Sequence, residues 1–162
     1  MNNNLDIASA FRTPSVVIVA DARPLLAFAV TDTPGALLRE AQVQILDTVY
    51  FDLTKHLDQP EARTVVEWIR VNQAHKISIH ATEVFEESRM LEKMLPDRRK
   101  RNDGDIAAKK LLDTHLRTSS LNAILLSDDS DVQNVVFTSA IRDNVFISST
   151  SQMTKFFTSL SR

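Results

Sequence analysis

Three carboxylates stand directly behind an apolar run in the stretch Asn122–Asp131 (NAILLSDDSD). Ala123–Leu126 suits a strand covered on both faces, as in a parallel sheet, and Asp128, Asp129 and Asp131 follow it at once. Ligands of open α/β sheets bind beyond the carboxyl ends of the strands. Acids in that position either cap the next helix or hold a cation. A second run, Val16–Ala20, is β-branched and likewise ends in an acid, Asp21. Two more acids fall on helical positions next to apolar faces. Asp52 lies beside Val49, Leu53 and Leu57, and Asp105 precedes Ala108 and Leu112 by three and seven residues. Taken one at a time, each has a plain structural role. Asp105 and Asp129 can cap helices, Asp21 can form a turn, and Asp52 can be a solvated helix residue. The information is in the placement: two at strand ends, two on helices that can reach the same edge.

Those positions depend on the elements around them. Val16–Ala20 reads as the first, central strand, and Pro24 opens a short helix over Leu25–Val30. Thr31–Gly35 carries turn chemistry, and Gln42–Leu46 is a short second strand. Asp47 or Thr48 caps the next helix. After Pro60, Ala62, Val65, Val66 and Ile69 recur at helical spacing; Trp68 belongs to that packing rather than to base stacking. Ile77–His80 reads as a third strand, Glu83–Leu95 as a charged helix, and a further helix starts around Asp105. Val132–Ile141 is expected helical, Val145–Ser148 is a last strand, and Ser149–Ser151 caps a terminal helix, Gln152–Leu160. Strands alternating with helices predict a three-layer α/β/α fold around a parallel sheet of four to five strands.

Composition bounds the rest. The 162 residues suit one domain over 15–162, behind a polar, Asn-rich arm at 1–14 whose composition favours disorder. Net charge is −2, so attraction to nucleic acid has to come from a local patch rather than the whole molecule. The one basic cluster is Arg98, Arg99, Lys100 and Arg101, with Lys109 and Lys110 behind Asp105. It can track a phosphate backbone and is equally well a solvated loop. There is no cysteine, which removes disulfides and thiolate metal sites and fits a reducing, cytoplasmic setting. With only Gly35 and Gly104, the chain has no glycine-rich phosphate loop. His56, His75, His80 and His115 show no paired ligand spacing and read as surface or edge residues.

The ordered set IVADARPLL (Ile18–Leu26), DTVYFDLT (Asp47–Thr54), GDIAA (Gly104–Ala108) and LLSDD (Leu125–Asp129) resembles the PIN domain family. The resemblance runs from Val16 to the last strand. It implies an acidic pocket for Mg²⁺ or Mn²⁺ and ribonuclease activity, as in VapC-like toxins of toxin–antitoxin pairs. By that resemblance Asp21, Asp52, Asp105 and Asp128 are the catalytic acids, and Asp21, Asp105, Asp128 and Asp129 the metal ligands, with Asp128, Asp129 and Asp131 alternatives for the inward-pointing acid after the later strand. Ser127 and Ser130 are candidates to contact phosphate or water, and Arg98–Arg101 to contact an RNA backbone. An antitoxin protein and a homodimer are the partners it implies. The family usually has Glu where this chain has Asp52 and Asp105, one methylene longer.

The chemistry asks for these groups. Carboxylates hold hard divalent cations, which orient and deprotonate water and neutralise phosphate oxygens. All-oxygen ligation favours Mg²⁺ or Mn²⁺ over zinc. At ~5 Å and an effective dielectric of ~20, a carboxylate pair repels by roughly 3 kcal/mol. Replacing Asp128 or Asp105 by Asn is therefore expected to stabilise the metal-free protein while abolishing activity. The competing reading is a catalytically inactive PIN-like module that binds RNA or a protein partner, motivated by the two shorter acids. A phospho-acceptor domain also gathers aspartates at strand ends, but it needs a lysine after the last strand, and Val145–Ser151 has none.

Overall fold

The structure is a computed structural model, and it describes residues 7–81, 83–95, 103–118, 121–130 and 145–160. Five strands form one parallel sheet: β1 (Ser15–Val19), β2 (Ala41–Leu46), β3 (Ile77–His80), β4 (Asn122–Leu126) and β5 (Val145–Ser148). Their spatial order is β3-β2-β1-β4-β5. The helices are α1 (Ile7–Phe11), α2 (Ala22–Phe28), α3 (Thr33–Glu40), α4 (Asp47–Thr54), α5 (Pro60–Asn72), α6 (Glu83–Met94), α7 (Asp103–Thr118) and α8 (Thr150–Leu160). The chain grows outward from β1 to β3, then crosses to the other side of β1 to place β4 and β5. That reversal puts a topological switch point at the seam between β1 and β4.

Both faces of the sheet are covered. Successive residues of a strand point to opposite faces, yet Val16, Val17, Ile18 and Val19 are all buried, as are Ala123, Ile124, Leu125 and Leu126. The layers therefore follow α/β/α, as the strand–helix alternation predicts. Leu25, Phe28, Leu37, Leu53, Ile69, Leu112 and Phe157 pack into this core from the helices. Each such side chain contributes about 1.5–3 kcal/mol when fully buried. Trp68 is half-buried against the same core, as expected for a packing residue. Among the described residues no helix is long and apolar enough to cross a membrane.

Two segments differ from their sequence reading. Thr31–Gly35 does hold a turn, in which the Thr31 hydroxyl donates to Phe28 O at 2.9 Å and accepts from the Thr33 N–H. A helix, α3, starts inside it, however, with Pro34 in the first helical turn and Ala36 and Leu37 buried. Proline suits that turn because its missing N–H has no partner there anyway. In the amino-terminal arm, Ile7–Phe11 is helical rather than irregular. Ala10 is fully buried, and Phe11 stacks on Phe156 with ring centroids 5.1 Å apart. The Ser15 hydroxyl and Asn122 Nδ2 both donate to Ala10 O, which closes the end of α1 onto β1 and β4. The helix expected over Val132–Ile141 lies outside the described residues.

Candidate functional site

Two of the predicted acid positions lie at the carboxyl edge of the sheet, at the ends of β1 and β4. β1 and β4 run in register, Val19 beside Leu126, and the seam extends one residue further through Ala20 N–H donating to Leu126 O at 3.2 Å. Asp21 comes next on one strand, Ser127, Asp128 and Asp129 on the other. Both strand ends thus deliver carboxylates to the switch point.

Asp21 is the N-cap of α2, with extended backbone angles. Its Oδ1 accepts the Arg23 backbone N–H at 3.1 Å, and its Oδ2 accepts Arg23 Nε at 2.8 Å. Arg23 Nη2 is 2.6 Å from the same Oδ2. The Asp21 side chain keeps 15% exposure and Arg23 keeps 60%. Arg23 is held above its ordinary basicity by the hydrogen bond to Asp21 first and by the charge of Asp21 second. Burial opposes these, and Asp129 and then Asp128 add smaller attractions. The guanidinium therefore feels both strand ends.

Across the seam the three consecutive polar residues divide their work. Ser127 is fully buried; its N–H donates to Ser148 O at 3.0 Å and its hydroxyl accepts the Asp129 N–H at 3.0 Å. Asp128 turns toward the start of α8, where Oδ1 accepts the Thr150 N–H at 2.8 Å and Oδ2 accepts the Thr150 hydroxyl. Asp129 is half-buried, and Ser130 is exposed. Asp131 lies outside the described residues.

The other two predicted acids lie on helices rather than at strand ends. Asp52 is exposed on α4, whose buried residues are Val49 and Leu53. It sits five residues beyond the start of that helix at Asp47, roughly 7.5 Å along the axis at ~1.5 Å per residue. Asp105 is the third residue of α7, ahead of buried Ala108, Leu111 and Leu112. That helix packs on α4 and β2, the neighbour of β1. The side chain of Asp105 is outside the described residues, as is the whole of Arg98–Arg101.

Sequence reasoning passed over one acid at this edge. Asp47 directly follows β2, next to β1, where its spacing suggests only a cap; it does accept the Thr48 N–H at 2.8 Å. Three adjacent strands, β2, β1 and β4, are thus each followed within three residues by aspartate. The signal is in the sequence: Asp47 follows the apolar strand that ends at Leu46 just as Asp21 follows Ala20. Asp47 also acts on His80 at the end of β3, where burial lowers the imidazole pKa from 6.5 and the Asp47 charge works in the opposite direction. Of the histidines read as surface residues, His115 is instead buried at 6% exposure, with Nε2 3.1 Å from Leu121 O.

Oxygen donors of this kind suit a hard divalent ion. Among the described residues, however, no three Asp, Glu, His or Cys side chains gather closely enough to hold a metal. Asp21 is engaged by Arg23, and Asp128 by Thr150.

The fold and its edge define a doubly wound α/β domain with an acidic switch point. No family model matches the chain, and no curated protein matches it in sequence. Among solved structures, a chain of the VapBC-1 structure from nontypeable Haemophilus influenzae aligns with a TM-score of 0.43 and 10% identity, covering 86% of this chain and 99% of that one.

Proposed function

We propose that this chain is a PIN-like, metal-dependent endoribonuclease that hydrolyses RNA phosphodiester bonds at the switch-point notch. The supporting observation is the delivery of Asp21 and Asp128–Asp129 by adjacent, in-register strands, with the helix carrying Asp105 packed on the neighbouring strand. In this reading Asp21, Asp105 and Asp129 hold Mg²⁺ or Mn²⁺, and Asp128 anchors the edge through Thr150. The ion, when bound, supplies an activated water and a counter-charge for the phosphate. Ser127 fixes the turn that leads into Asp129 by accepting its backbone N–H. Asp52, exposed on α4, contributes through water rather than directly. An antitoxin-type protein partner covering the notch, and a homodimer, follow from the PIN resemblance alone.

The test is cleavage of a generic single-stranded RNA with Mn²⁺ and with chelator. Asp21→Asn should lower the metal-dependent rate at least about a hundredfold. Undiminished cleavage by the variant, or by the wild type in chelator, would overturn the proposal. A second reading has its own observation: Asp21 is tied to Arg23, and Asp stands at 52 and 105 where the family usually has Glu. It makes the chain an inactive module that binds RNA or protein. Binding of the same RNA without cleavage at any metal concentration selects it.

A further inference from the structure

Helix α6 packs on α7 yet carries large apolar side chains in solvent. Met90 is 63% exposed, Met94 72% and Leu95 56%. Met90 and Met94 are four residues apart and so form one ridge along the helix, with half-buried Leu91 beside it. Among the described residues, the other strongly exposed apolar side chains, Val30, Leu57, Val71 and Leu160, each stand on a separate segment. Adjacent exposed apolar side chains mark a contact surface, and methionine adapts readily to what it meets there.

The charges beside the ridge say what meets it. Glu86 lies four residues before Met90 and Lys93 three after it, about 6 and 4.5 Å along the axis at ~1.5 Å per residue. Seven residues are nearly two whole turns, so Glu86 and Lys93 fall on the same flank of the ridge. Both are exposed, and neither forms an ion pair among the described residues. When a second α6 lies antiparallel on the first, with the two-fold axis beside Met90, each Glu86 meets the Lys93 of the other copy and Met90 meets Met90. A parallel pair would set Glu86 on Glu86 and Lys93 on Lys93, which repel.

We propose that this face of α6 is a self-complementary contact through which two copies of the chain associate, antiparallel and two-fold symmetric. The face and the register come from this chain's own residues, not from the PIN resemblance, and the inference stands whether or not the notch cleaves RNA. A single helix pair is small for a protein interface, so the dimer is weak, with a Kd of about 10–100 μM.

The experiment is sedimentation equilibrium of the full chain up to about 200 μM, above that Kd. Wild type is compared with Glu86→Lys, Lys93→Glu, the double exchange Glu86→Lys/Lys93→Glu, and Met90→Asp. These positions are exposed, so the substitutions leave the core untouched. Each single reversal sets like charges together at both symmetry-related pairs and should weaken the dimer about tenfold. The double exchange should return it to within about threefold of wild type, because it rebuilds both pairs with their signs swapped. Met90→Asp, beside the axis, should leave a monomer. A wild type that stays monomeric throughout, a dimer that ignores either Met90→Asp or the single reversals, or reversals that the double exchange does not rescue would each overturn the proposal.

Discussion

At Asp128, two effects of a negative charge oppose each other. Neighbouring acids at the notch favour removing it, by roughly 3 kcal/mol for a bare pair at ~5 Å and a dielectric of ~20. Against that, the carboxylate accepts both the N–H and the hydroxyl of Thr150 at the amino end of α8, where a negative charge is favourable. Asp128 is exposed, so solvent screens the repulsion more than the short, directed hydrogen bonds. The expected outcome for Asp128→Asn is therefore a loss of about 1 kcal/mol in chelator, read from the urea midpoint. This reverses the stabilisation expected from sequence, where a carboxylate had neighbours but no visible hydrogen-bond donor. His80 gives a second test at this scale. Burial lowers its pKa below 6.5, so between the folded value and 6.5 the unfolded chain binds more protons than the native one. Stability then rises with pH through that window and falls as pH drops below 6.5. His80→Gln should flatten the fall, measured as urea midpoints from pH 5 to 7. An unchanged slope would assign the acid sensitivity to other groups.

The terminal helix is set at the element scale by what precedes it. Ser149 and Gln152 form a reciprocal cap: the Gln152 N–H donates to Ser149 Oγ at 3.2 Å, and the Ser149 N–H donates to Gln152 Oε1 at 3.0 Å. The same turn receives Asp128, so α8 is fastened to the end of β4 as well as following β5. Ser149→Ala should cost about 1 kcal/mol in urea unfolding. It should also leave Mn²⁺ affinity unchanged, which separates capping from the chemistry of the notch. This cap was legible in the sequence, as Ser149–Ser151 before an amphipathic segment. The start of α3 was not, because Thr-Pro-Gly marks a turn and an amino-terminal helical turn equally well; only burial of Ala36 and Leu37 decides. The same holds for α1, whose few apolar residues matter because Phe156 and Phe157 lie ready to receive Phe11.

For the whole molecule, the alternation of strands and helices was enough to foresee a parallel sheet with acids at its carboxyl edge. β-Branched runs and strand-end aspartates are local signals, and parallel topology then places them together. Side-chain partnership is not local in that sense. Nothing in the string of letters says that Arg23 folds back onto Asp21, or that Asp128 turns to Thr150. If the edge captures a divalent ion as proposed, the ion binds the native state and not the unfolded chain. Binding then raises stability through mass action, by about 2.7 kcal/mol at a hundredfold excess over Kd. For a domain of this size that corresponds to a rise in Tm of roughly 5–10 °C. Calorimetric melting with Mn²⁺, against a chelator control, should show this shift in wild type and lose it in Asp21→Asn. Because linkage reads occupancy and not turnover, the shift persists even in a protein that no longer cleaves RNA. A Tm indifferent to Mn²⁺ would mean that the folded edge gathers negative charge without capturing an ion.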